Sequence, residues 1–267
     1  MTTPHFVVRS DFDEPAITAA AVELEATRDE LISAAWPAYS FPETVRTSVY
    51  ILSSRAEFEH WVGPWIGGVF EGGSHPVFVL SGRPGDWGSS SGYVDGGGSP
   101  VSSATSFPLR HELAHQLSAV VYPRRPQWFS EGLAAFLETT HRTRDGTAVV
   151  LGEVNRDALS KWKANATVSV RDILEWDERP KEIVNDKTPA LHGKSWWFVN
   201  WLFNIRREAF ASYQVELARG VEPKRAWARA HPIRIDGSTS HRRKCESARQ
   251  APARFLVLVR WLAKVPF

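Results

Sequence analysis

Two hydrophobic periods divide the chain. HFVVRS at the N-terminus reads as a short strand, and TVRTSVYIL from Thr44 to Leu52 alternates polar with β-branched residues, the period of two that a half-buried strand requires. VFVL at Val77–Leu80 is a third strand. Between the first two, the Ala/Glu/Leu-rich stretch from Glu14 to about Ala35 places apolar residues at helical spacing and stops before Pro37; between the second and third, Ser54 to Val62 reads as a short helix. From Ser81 to Ser106 the chain turns to Gly, Ser and Pro, with GSSSG and GGGSP, which predicts a long surface loop, either a rim or lid or a plain insertion. Beyond it every strong pattern is helical: Pro108 to Val121, Pro126 to Thr140, Glu153 to Ala164, His192 to Arg207 and Phe210 to Arg219. Strands and helices first, then helices alone, predict an α+β fold: a mixed N-terminal part with a small sheet, then a mostly helical C-terminal part.

A chain of 267 residues, 43% hydrophobic and 23% charged, can build one sizeable core or two small ones without help from a metal or disulfide. A metal site in such a chain therefore points to function. The single cysteine, Cys245, excludes an intramolecular disulfide framework and any cysteine-built zinc cluster, which leaves histidines and carboxylates as ligands. No apolar run reaches the length of a membrane span, and the start MTTPHFVVRSDFDE lacks the order of a secretory signal. The expected location is cytoplasmic as written, with a mature secreted or envelope form as the alternative. Twelve tryptophans predict aromatic core packing ahead of a cleft with stacking walls.

The chemistry sits in HELAH, His111 to His115. Ser106 can cap and Pro108 suits a first turn, while Leu109, Leu113 and Leu117 recur at helical spacing, so the motif belongs on a helix. His111 and His115 then lie one turn apart on one face, able to share one metal ion, and Glu112 sits beside that face as a general base would. A catalytic zinc keeps three protein ligands and one open position. A third histidine six residues on is excluded, because Ser118 and Val121 stand where glycine and histidine would be needed; the methionine turn of that class is also missing, since Met1 is the only methionine. Glu131 in RPQWFSEGLAAFLE is the better third ligand: a Tyr-Pro-Arg-Arg-Pro turn folds the second helix back, and Gly132, Ala134 and Ala135 permit close approach. Glu138, two turns later, reads as a solvated helix face in preference to a partner that orients a histidine.

HELAH followed by WFSEGLAAFLE resembles the gluzincin metallopeptidases, specifically compact bacterial peptidase MA-like domains, over roughly residues 5 to 230. The resemblance implies a zincin-like fold with the active-site helix between its two parts, and one Zn2+ per chain held by His111, His115 and Glu131. It also implies Glu112 as base and an edge strand upstream of the helix to hold an extended peptide or protein substrate. Zinc would acidify its water and polarise the scissile carbonyl, with Glu112 moving the proton to the leaving nitrogen. Relatives add a downstream Tyr or His that donates to the tetrahedral intermediate; here His192 stands at the start of the predicted helix, with Tyr122 and Tyr213 as alternatives. The domain expectation is a catalytic domain over residues 1–230 (a strand/helix part to 107, a helical part from 108) and a basic tail over 231–267.

That tail changes the charge picture. After Ala230 the chain carries eight basic residues against two acidic, a net +6, so the first 230 residues carry −4. Packing as a helix through Phe255, Leu256, Leu258 and Leu262 is the leading expectation, and contact with an anionic membrane surface or a partner is the other. Nucleic-acid binding is not expected from HRRK alone. The competing class is a noncatalytic peptide- or envelope-binding module that keeps its metal for structure, with His141 or His192 as a fourth ligand.

Overall fold

The structure is a computed structural model that describes residues 1–42, 46–62, 68–72, 76–82, 108–143, 148–164, 167–179, 188–231 and 257–258. The long Gly/Ser loop expected over 81–106 lies almost wholly outside these residues, as does most of the tail.

The N-terminal part holds β1 (Phe6–Ser10), α1 (Glu14–Ala35), β2 (Thr47–Leu52), α2 (Arg55–Trp61), β3 (Gly68–Glu71) and β4 (Val77–Ser81). Its sheet runs β1-β2-β4-β3; the first three strands are parallel and β3 is antiparallel to β4 at the edge, with Val69 opposite Val79. Alternation sets the faces: Phe6, Val8, Val49, Ile51, Phe78 and Leu80 are buried on one side, whereas Arg9 and Tyr50 are exposed on the other. α1 starts where the Asp13 side chain accepts the Ala16 N–H, and it buries Ala20, Leu24, Leu31 and Ala34 in the same core.

The second part holds α3 (Pro108–Val121), α4 (Gln127–Leu137), β5 (His141–Arg142), β6 (Val149–Leu151), α5 (Arg156–Ala164), α6 (Val170–Leu174), a 3-10 turn (Trp176–Glu178), α7 (Thr188–Ile205), α8 (Arg207–Ala218) and α9 (Pro223–Ala230). A last strand, β7 (Val257–Leu258), pairs antiparallel with β6. The fold is thus α+β, as the patterns predict. β7 completes the small sheet β5-β6-β7, and apart from Leu258 the C-terminal helix expected through Phe255, Leu256, Leu258 and Leu262 lies outside the described residues. Among the described residues no helix is long and apolar enough to cross a membrane.

α4 is the centre of this part, with every residue from Trp128 to Leu137 buried. Its neighbours come in at backbone distance. A Cβ on Gly132 would lie 2.6 Å from the Ser195 carbonyl oxygen of α7, and one on Gly193 would lie 2.5 Å from the Trp162 backbone nitrogen of α5. Around them Trp128 stacks on Tyr213 at 5.9 Å and meets Phe129, Phe198 and Trp227, so much of the tryptophan content is spent on the core.

Candidate metal centre

α3 is fixed to the sheet and to α1 before it reaches the site. Leu109, Leu113 and Leu117 are buried, Gln116 donates to the Thr47 hydroxyl of β2, and the Arg110 guanidinium lies 3.4 Å from Glu30 of α1, both side chains buried. The opposite face of α3 carries His111 and His115. Their Nε2 atoms approach to 3.1 Å. Two imidazole lone pairs cannot meet at that distance unless a proton or a cation lies between them.

The third group arrives from α4. Glu131 Oε2 lies 3.5 Å from His111 Nε2 and 3.6 Å from His115 Nε2. One ligand atom from each of His111, His115 and Glu131 falls within 4.8 Å of the others, so the three form a group able to bind a metal ion. The donor set, two imidazoles and a carboxylate with little exposure, suits a borderline-soft divalent ion. Glu131 is held from its other oxygen, where Oε1 accepts from Gln127 Nε2 at 2.9 Å; the Gln127 backbone N–H is in turn accepted by Asp177 of the 3-10 turn at 3.1 Å. Residues four apart on a helix share a face, so the Gln127–Glu131 pair is a signal that spacing alone offers.

Behind the ligands the two histidines differ. His111 Nδ1 lies 3.2 Å from Glu138 Oε2, and Glu138 is buried. The solvated face expected of Glu138 is therefore corrected: from Trp128 onward α4 is buried, and Glu138 with it. His115 Nδ1 lies 3.0 Å from Ser130 Oγ, which also receives Arg125 Nε–H at 3.1 Å. Ser130 and Arg125 carry no such role in the sequence reading, because their meaning depends on how the Tyr122–Pro126 turn folds.

Charges follow from burial and these contacts. Burial alone would depress His111, but hydrogen bonds to Glu131 and Glu138 raise its pKa well above the ordinary imidazole range. Burial would raise Glu131; the imidazoles of His115 and His192 and hydrogen bonds from His111 and His115 hold it well below the usual carboxylate range. Glu112, buried beside the ligands, is pushed up by desolvation, with His111 and His115 resisting and the Phe70 backbone N–H of β3 donating to its carboxylate.

His192 also reaches the cluster, with Nδ1 3.3 Å from Glu131 Oε2 and its ring 5.3 Å from that of Trp176. Burial depresses its pKa against the pull of Glu131. It lies inside α7 and not at the helix start, since α7 begins at Thr188. Tyr122 and Tyr213, the alternatives to His192, are engaged in the core. Both are buried; the Tyr122 hydroxyl donates to Gln214 and accepts from Trp36, and Tyr213 is packed among Trp128, Phe129 and Trp227. His141 points elsewhere, 3.2 Å from the Thr139 carbonyl and 3.9 Å from Glu153, and is outside the ligand group.

Comparison with known proteins places residues 105–222 in a match to a family described as a protein of unknown function, DUF1570. That span holds every residue of the cluster, from His111 to His192. No curated protein matches the chain.

Proposed function

We propose that this protein is a zinc-dependent metallopeptidase of gluzincin type that hydrolyses peptide bonds, with His111, His115 and Glu131 as ligands and Glu112 as general base. The observation that carries the reading is the convergence of those three ligand atoms with Glu112 buried between them and the edge strand β3. What zinc supplies when bound is Lewis acidity, which polarises an amide carbonyl and acidifies a coordinated water. Glu112, with its pKa raised, is suited to take a proton from water and return it to the leaving nitrogen. β3 is the edge of its sheet among the described residues and offers backbone groups along which an extended peptide would lie. His192 is the proposed donor to the oxyanion.

Zinc analysis of protein purified without chelators or a His tag, joined to a peptide-library cleavage screen, tests this. We expect about one zinc per chain, and Glu112→Gln should keep that zinc while turnover falls about 10²- to 10⁴-fold. Undiminished turnover in Glu112→Gln would overturn the assignment of the base. The 3.3 Å contact of His192 with Glu131 favours one rival, a noncatalytic module in which His192 closes the coordination sphere. His192→Ala separates them: the peptidase keeps its zinc affinity within a few-fold and slows, whereas the module loses most of its affinity and has no turnover to lose.

A further inference from the structure

Both imidazoles can offer Nε2 to one ion only if each carries its proton on Nδ1 and donates it outward. His111 then donates to a full carboxylate, Glu138. His115 donates to a hydroxyl, Ser130 Oγ, that already accepts from a guanidinium, Arg125 Nε. A hydroxyl drawn on by a cation is the poorer acceptor, so the hydrogen bond that orients His115 is the weaker of the two. Arg125 also brings a positive charge to within two hydrogen bonds of the ligand set. Its side chain is partly buried, where burial disfavours the charge and Glu131 sustains it, so guanidinium and ligand carboxylate feel one another.

We propose that Arg125 is a positioning residue of the metal centre which, through Ser130 and His115, lowers the affinity of the site for its ion. The inference rests on reading the cluster as a metal site, though not on peptidase activity. A cation beside a divalent ion weakens its binding and leaves it more electron-poor, which favours Lewis-acid chemistry over storage. A purely structural role is the contrasting account: Arg125 would tie the Tyr122–Pro126 turn to α4, its backbone N–H bonding the Tyr122 carbonyl at 3.2 Å. The two accounts predict opposite signs. Loss of an anchor loosens the ligands and weakens binding, whereas loss of the charge tightens it.

The test is zinc affinity of the full-length protein by competition with a chromophoric chelator. Arg125→Met, which keeps the apolar stem, should bind zinc about 3- to 30-fold more tightly than wild type. Arg125→Lys, which keeps the charge, should stay within about threefold. Weaker or unchanged binding in Arg125→Met overturns the proposal; if that variant does not fold, Arg125→Gln carries the same expectation and the same refutation. Tighter binding in a protein that hydrolyses no peptide upholds it while ending the peptidase reading, and a wild type that binds no zinc ends both.

Discussion

A carboxylate behind a ligating imidazole fixes its tautomer and makes it more basic, and Glu138 stands in that place for His111. Glu138→Gln should therefore weaken zinc binding about 10- to 100-fold with little loss of thermal stability; unchanged affinity in chelator competition would reduce Glu138 to a packing residue. The raised pKa of His111 gives a second expectation. In the metal-free protein its folded pKa exceeds the unfolded value, so the stability it contributes is complete below the unfolded pKa and is lost as pH rises through the folded one. Metal runs the other way, since it needs the deprotonated ring: affinity should fall as pH falls, and zinc binding at neutral pH should release a proton. Calorimetric titrations in two buffers of different ionisation enthalpy measure that release, and no release would contradict a protonated His111. His111, Glu112 and His115 were legible because one helix dictates their spacing. Ser130, Arg125 and the role of Glu138 were not, because each depends on a partner from another element.

At the scale of elements, α4 matters most, and its burial from Trp128 to Leu137 is why Ser130 and Glu131 are both engaged. Gly132 faces α7 so closely that Gly132→Ala must move one helix or the other, with Ser195 backbone and the Val199 side chain both inside 3 Å of the new Cβ. We expect a loss of about 1–3 kcal/mol, read from thermal unfolding, and, if the proposed peptidase reading holds, a fall in turnover because α7 carries His192 opposite Glu131. Gly72→Ala is the control, since its nearest neighbour is 3.5 Å away at a Phe70 ring carbon. Equal stability of the two variants would mean that α4 and α7 have slack that the packing denies. The longer elements were readable from their period, yet α7 began four residues before the expected His192, at a Thr-Pro pair that suits a first turn. β3 escaped notice because GVFE is four residues long and lies among glycines, where no period can register. That strand nonetheless supplies the backbone donor to Glu112.

Among the described residues one continuous core runs from Phe6 and Val8 of β1 through Leu24 of α1 and Leu113 of α3 to Leu217 of α8. The family match, by contrast, begins at residue 105 and covers only the helical part. Coverage in sequence is not autonomy in folding, and the physics argues against a free-standing helical fragment. Removing residues 1–104 would strip the sheet and α1 from α3, expose Leu109, Leu113 and Leu117, and take Glu30 from beside a buried Arg110. Loss of one partner from a buried ion pair costs about 3–5 kcal/mol, and each exposed leucine adds roughly 1.5–3 kcal/mol; together these rival the whole stability of an ordinary domain, about 5–15 kcal/mol. A fragment of residues 105–230 should accordingly show no cooperative thermal transition and no stoichiometric zinc, while residues 1–230 show both. A cooperative transition with one bound zinc in the short fragment would mean that the metal-binding group needs only its two helices and their neighbours, and not the N-terminal sheet.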